Sequence, residues 1–233
     1  MALSPVLMRP RSRIVGPVPV SGLGLWLDAS NGASLTFNGN TVSEWRDLSG
    51  NNRHFSQATA ALQPNGVSRT YNGLRVLDFD GTQLLEGNTT SLSAFRRVTA
   101  MTVVMFAKYD TRVADNAVAP NDVSRLFYFS TGDQSLDQAR LLLSQVAGLG
   151  FGMRSRYLDA EGPEGWFRDV RYGLDAALSS FVVSAVTDFE NSSNRIYENG
   201  VLQAQTSGWA STGATPDTDS KRAAIGGRRP DAL

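Results

Sequence analysis

The chain has 233 residues, 41% of them hydrophobic, with 22 Lys+Arg against 22 Asp+Glu and no cysteine. The balanced charge removes any global electrostatic case for nucleic-acid binding, and the missing cysteines remove disulfides and thiolate metal sites. No run reaches the roughly 18 apolar residues of a membrane helix, while many Gly, Ser, Thr and Asn residues favour short strands and turns over helices.

Residues 1–20 carry Pro5, Pro10, Pro17 and Pro19 together with Arg9, Arg11 and Arg13, and no acidic residue. Such a segment cannot bury a core, so it reads as an extended arm, either disordered or laid along a partner subunit. The same prolines and arginines deny it the apolar stretch of a secretory signal. Strand signals begin at Ser21, and residues 21–233 read as one domain.

Leu23, Leu25 and Leu27 alternate with Gly24 and Trp26, which predicts a first strand. A second short strand holds Trp45, and both run into turns rich in Asp, Ser, Asn and Gly. Leu74, Val76 and Phe79 follow a turn at Asn72-Gly73. Residues 98–107 (VTAMTVVMFA) are almost continuously apolar and β-branched, predicting a central strand buried on both faces.

Further strands are expected over 125–130, 140–143 and 149–157, with a second central strand over 181–189. Asn199-Gly200 between two alternating runs is a strong hairpin signal, because a two-residue type I′ turn needs positive φ at both positions. The total comes to roughly 11–13 strands, enough for two packed sheets. Polar stretches at 110–124, 158–175 and 206–221 read as rim loops, and 174–178 as the one helical turn.

Three segments together carry a family resemblance: residues 22–30 (GLGLWLDAS), residues 42–54 (VSEWRDLSGNNRH) and residues 73–81 (GLRVLDFDG). Their order resembles the opening of a concanavalin A-like jelly roll, the laminin G-like kind common in bacterial surface and phage proteins. Tyr197-Glu-Asn-Gly200 followed by Ile225-Gly-Gly-Arg228 is similar to the family's late signature, so the likeness spans residues 22–227. It implies an all-β, two-sheet antiparallel jelly-roll sandwich behind an extended N-terminal arm. In relatives a last strand follows the Ile-Gly-Gly-Arg segment and pairs near the first, so this domain is expected to lack its last strands. An open sheet edge would follow. The arm, a neighbouring subunit or more of a longer chain would then cover it.

The fold hosts lectins, glycosidases and structural modules, so function rests on sites. Its glycosidases place three acids at alternating positions of one strand, where two can act as nucleophile and acid. Asp78/Asp80 and Asp188/Glu190 supply only pairs, and Gly162 and Pro163 break the run Asp159, Glu161, Glu164. These acids read as turn and rim residues, and no catalytic residue is assigned. A glycoside hydrolase using Asp188 and Glu190 remains the enzymatic alternative. His54 is the only histidine, without a Gly-x-Ser-x-Gly elbow, and reads as an ordinary packed residue.

Asp47, Ser49 and Asn51 present oxygens at alternate positions of a tight loop, with Asp28 and Asp80 at nearby strand ends. Calcium takes such ligands, and Asx turns explain the same residues. Trp26 and Trp45 read as core. Tyr157, Trp166, Phe167 and Tyr172 accompany Arg154, Arg156, Arg168 and Arg171 in or beside the 158–175 stretch, and Trp209 lies in another loop. Aromatic faces stack on sugar rings and guanidinium groups pair with acidic or sulfated substituents; the same mixture also marks protein interfaces. The glycan- or partner-binding set is therefore Tyr157, Trp166, Arg168, Arg171, Tyr172 and Trp209. The expected role is a non-enzymatic phage virion protein (head decoration, fibre or tail-associated) that binds host surface glycans. Its partners would be other virion subunits in an oligomeric assembly, with no nucleic acid and no membrane insertion. The alternative is a carbohydrate-binding module of a bacterial surface or secreted protein.

Overall fold

The structure is a computed structural model, and it describes residues 20–108, 125–130, 139–146, 150–156, 167–172, 180–208, 213–215 and 223–226. Their strands, in chain order, are β1 (Leu35–Asn38), β2 (Thr41–Trp45), β3 (Phe55–Ser56), β4 (Thr70–Tyr71), β5 (Leu74–Arg75), β6 (Leu85–Gly87), β7 (Ala100–Lys108) and β8 (Arg125–Ser130). They continue with β9 (Ala139–Val146), β10 (Gly150–Arg156), β11 (Phe167–Tyr172), β12 (Ser180–Asp188), β13 (Ser193–Glu198), β14 (Val201–Ser207) and β15 (Ala223–Ile225). One sheet has nine strands in the order β1-β2-β3-β6-β15-β8-β9-β10-β11, and the second has four in the order β14-β13-β12-β7. β4 and β5 form a small hairpin of their own.

Among the described residues the two sheets face each other across the main apolar core, and Leu84 and Ala224 form a second, smaller buried cluster. The nine-stranded sheet contributes Phe55, Leu85, Phe127, Leu141, Leu143, Met153 and Ala223, and the four-stranded sheet Val183, Ala185 and Ile196. Alternation produces this packing: along β12, Val183, Ala185 and Thr187 are buried while Val182 is exposed. The architecture is thus the expected antiparallel jelly-roll sandwich. Both Asn-Gly turns behave as the sequence requires, with φ of 50° and 76° at Asn72 and Gly73 and 49° and 83° at Asn199 and Gly200.

A polar bridge crosses the core at one point. The Ser155 hydroxyl donates to Asn194 Oδ1 at 2.6 Å, and the Thr187 hydroxyl donates to Ser155 Oγ at 3.1 Å. All three side chains are fully buried. Removing one member strands the others without water, so Asn194→Ala is expected to cost about 2 kcal/mol. Urea denaturation of Asn194→Ala beside the wild type checks this.

Several expectations are corrected. Residues 23–28 form no strand, because their backbone groups bond a loop instead: Leu48 N donates to Trp26 O, and Trp26 N to the Asp47 carboxylate. Trp26 therefore lies outside any strand, and Trp45 ends β2, both half-buried. β7 is an outer strand with alternating exposure, not a central strand buried on both faces. The 158–175 stretch contains β11, and 206–207 complete β14. The described strands number fifteen, above the expected count, because several are only two or three residues long. A short helix, α1 (Thr89–Leu92), was missed; Asn88 caps it by accepting from Ser91 N. Residues 174–178 lie outside the described residues, as does the arm over 1–19 with Arg9, Arg11 and Arg13. The Ile-Gly-Gly segment begins in β15, which is inserted between β6 and β8 in the interior of the large sheet.

Candidate functional site

The far end of the nine-stranded sheet gathers the arginines singled out above. β10 pairs with β9 on one side and with β11 on the other. Directly opposed residues of an antiparallel pair share a face, so the register sorts the candidates. Met153 and Ser155 are core-facing, and they oppose Val170 and Arg168; Phe151, of the same parity, opposes Tyr172. Positions 168 and 172 therefore belong to the inner parity.

The outer parity holds the rest. Arg154 opposes Asp169, Arg156 opposes Phe167, and Gly152 opposes Arg171. Arg171 is the diagonal neighbour of Arg154, a separation of about 7–8 Å in such ladders. One cross-sheet row continues this face from Arg171 through Gly152 and Ser144 to Arg125. Arg154, Arg156 and Arg171 thus share one face with Asp169 as the single acid among their opposed positions. Arg125 escaped the sequence reading, since only the ladder shows which strand row it joins. Tyr157, Trp166 and Trp209 lie outside the described residues, Tyr157 and Trp166 each directly flanking a strand of this pair.

Of the acids considered for catalysis, Asp78, Asp80 and Asp188 accept hydrogen bonds from neighbouring donors. Asp188 accepts from Asn191 N at 2.9 Å and from Asn191 Nδ2 at 2.8 Å, closing the turn after β12. Asp78 accepts from the Ser68 hydroxyl at 2.9 Å and Arg69 Nε at 2.8 Å, and Asp80 holds Thr82. Glu44, Asp47, Asp80 and Asp188 all lie below their ordinary carboxylate range. In the first three, burial pushes upward and is outweighed by donated hydrogen bonds; in Asp188 the Asn191 side chain is the leading cause. A glycosidase acid must instead be held protonated. None of these four is shifted that way, while Asp159, Glu161 and Glu164 lie outside the described residues.

Asp47 organises a knot at the other end of the molecule. Its Oδ1 accepts from Trp26 N at 3.0 Å and Ser49 N at 2.9 Å; its Oδ2 accepts from the Ser49 hydroxyl at 2.7 Å and Arg53 N at 3.1 Å. Asn51 turns its amide nitrogen to Leu23 O and Ser49 Oγ. Asp28 holds Ser30 and does not join them. His54 accepts from Asp47 N through Nδ1 at 3.0 Å, a packing role for the lone histidine. Hydrogen bonds account for this loop as an Asx turn. Among the described residues no three His, Cys, Asp or Glu side chains gather to hold a metal.

No family model matches the sequence, and no curated protein matches it. Among solved structures, the CBM40 module of Ruminococcus gnavus IT-sialidase bound to alpha2,3 sialyllactose is similar at 20% identity and a TM-score of 0.41, covering 58% of this chain and 67% of that one. The same module bound to alpha2,6 sialyllactose gives 20% identity and a TM-score of 0.41, over 59% and 69% of the two chains. The binding domain of botulinum neurotoxin serotype C1 is similar at 11% identity and a TM-score of 0.46, over 89% of this chain and 44% of that one.

Proposed function

We propose that this chain is a non-catalytic binding module that takes an acidic glycan on the outer face of β10 and β11. The observation that carries the reading is the register: it collects Arg154, Arg156 and Arg171 on one face with Phe167 beside them. Guanidinium groups pair bidentately with carboxylate or sulfate, and an aromatic ring supplies a stacking platform. For its setting we read a surface-displayed assembly, a phage virion or a bacterial surface protein. The basic, proline-rich composition of residues 1–20 supports an assembly arm.

The test is a binding screen of the purified chain against acidic bacterial polysaccharides and sialyllactose, with and without calcium. Arg154→Ala and Arg171→Ala are each expected to weaken binding about 10- to 100-fold, the loss of one charge-assisted contact. Arg168→Ala, on the opposite parity, should leave affinity within about threefold if its fold is intact. Equal losses in all three would remove the face from the reading. Absence of saturable binding by the folded wild type would remove the glycan. A calcium-dependent rise in melting temperature, lost in Asn51→Ala, would place an ion at the Asp47 loop.

A further inference from the structure

Asparagine followed by glycine is the dipeptide at which a chain can modify itself. The glycine nitrogen, with no side chain beside it, can reach the asparagine Cγ and close a five-membered ring. This sequence holds five such pairs, at Asn31, Asn38, Asn65, Asn72 and Asn199. All five lie among the described residues.

The fold restrains four of them. Asn31 Oδ1 accepts from Ala33 N at 3.2 Å, and Asn38 Nδ2 donates to buried Gln63 Oε1 at 3.3 Å. Asn65 Oδ1 accepts from Val67 N and Ser68 N, both at 2.9 Å, and Gly66 N is itself engaged, donating to Asn40 O. Asn199 Oδ1 accepts from Val182 N at 3.1 Å while Asn199 N donates to Val182 O, which ties the β13–β14 turn to β12. Each of these bonds must break before the side chain can swing onto the following nitrogen.

Asn72 has no such restraint. Its side chain is exposed and makes no hydrogen bond among the described residues, and Gly73 N donates to none of them. The space around Gly73 is open. Ring closure rotates the asparagine ψ and so opens the turn. At Asn199 that motion would part β13 and β14, strands of six and seven residues within a four-stranded sheet. At Asn72 it opens only β4 and β5, two residues each and a sheet by themselves, a ribbon that opens readily. The anchors of this hairpin, Tyr71 on Phe106 and Arg75 over Phe37, hold its legs and not its tip.

We propose that Asn72-Gly73 is a self-deamidating site. Gly73 N gives its proton to hydroxide and attacks Asn72 Cγ. A C–N bond forms to that carbon as the side-chain nitrogen leaves, taking a proton from water to depart as ammonia. Water then adds to one of the two ring carbonyls and breaks a C–N bond, opening the succinimide to aspartate or isoaspartate. Either product adds one negative charge to a chain whose formal net charge is zero. Isoaspartate also carries its Cβ in the main chain. The lengthened turn no longer closes Tyr71 against Leu74 and Thr70 against Arg75 in register. This modification goes beyond the binding reading and stands independently of it.

The test is incubation of the purified full chain at mildly alkaline pH, followed by trypsin digestion and mass spectrometry. Trypsin cuts after Arg69 and Arg75, so Asn72 is read alone in the peptide from Thr70 to Arg75. Enzymatic methylation of isoaspartate identifies the rearranged product. In the folded chain Asn72 is expected to convert at least about tenfold faster than each of the other four asparagines. In concentrated urea the five rates should draw within about threefold of one another, because the restraints on the other four are gone. Asn72→Gln should abolish the first acidic species seen by ion exchange. Any other site that converts as fast as Asn72 in the folded chain overturns the proposal. So does a preference for Asn72 that persists in urea, since its sequence neighbours and not the fold would then select it.

Discussion

Replacing Gly226 with alanine is expected to lower the unfolding free energy by about 3 kcal/mol, through two separate costs. Gly226 has φ of 75°, a left-handed conformation that an L side chain enters at about 1–2 kcal/mol. A Cβ there would also lie 2.9 Å from Phe79 Cγ, and nearer still to Cδ1 and Cε1 of the same ring. Because the clash reaches Cγ, the ring cannot escape by a terminal twist and must leave its site, costing another 1–3 kcal/mol or about that. The position tolerates little adjustment. Gly226 N donates to Leu126 O at 3.0 Å, fixing the exit of β15 between β6 and β8. Gly50→Ala is the control, since Gly50 has φ of 91° with open space around its Cβ. Chemical denaturation should show the control losing only the backbone share, about 1 kcal/mol. Equal losses at both sites would eliminate the contact with Phe79 as a cause.

That glycine was visible in the sequence only as part of a family-like Ile-Gly-Gly-Arg run; its partner ring, 147 positions earlier by the numbering, was not. What the sequence displays well is local. The Asn199-Gly200 hairpin, the strands β8, β9, β10 and β12, and the alternation inside them follow from turn chemistry and period-two patterning. Residues 23–28 have that same patterning yet make no strand, because Asp47 and Leu48 claim the backbone of Trp26. β7 shows the converse failure. A continuous apolar run ordinarily means burial on both faces, and here half of it is outward on an outer strand.

The arginines illustrate the same boundary at the candidate site. Arg168 and Arg171 looked equivalent in a polar stretch, and charge made that stretch read as a loop. The charges instead suit an outer strand, which is guarded by them. Only the ladder with β10 separates the two positions, by tying Arg168 to buried Ser155 and Arg171 to Gly152. Parity is a property of pairing, and pairing partners are distant in sequence.

The Asp47 knot gives the other large expected effect. Asp47→Ala should destabilise the fold by about 3–4 kcal/mol, because the backbone N–H of Trp26, from a distant segment, and those of Ser49 and Arg53 in its own loop lose their charged acceptor. Asp47 as a residue is 7% exposed, so water replaces its carboxylate poorly. Asp47→Asn keeps one acceptor and should cost less, about 2 kcal/mol, since its amide nitrogen would face donors. The pH dependence separates this mechanism from simple loss of packing. Burial pushes Asp47 up, yet the bonds from Trp26, Ser49 and Arg53 hold it below its ordinary value of 3.8 in the folded state. A depressed folded value means the unfolded chain takes up the proton first as pH falls. The stabilisation is therefore complete above the ordinary carboxylate range and disappears as pH drops through the lower folded value. Urea unfolding near pH 7 and near pH 3 should show the gap between wild type and Asp47→Asn shrinking in acid. Glu44, Asp80 and Asp188 shift in the same direction, so the variant keeps some acid sensitivity of its own. A gap of equal size at both pH values would mean that Asp47 contributes shape and not charge, and that the segment from Leu23 to Asp28 is held by Leu25 and Leu27 against the core.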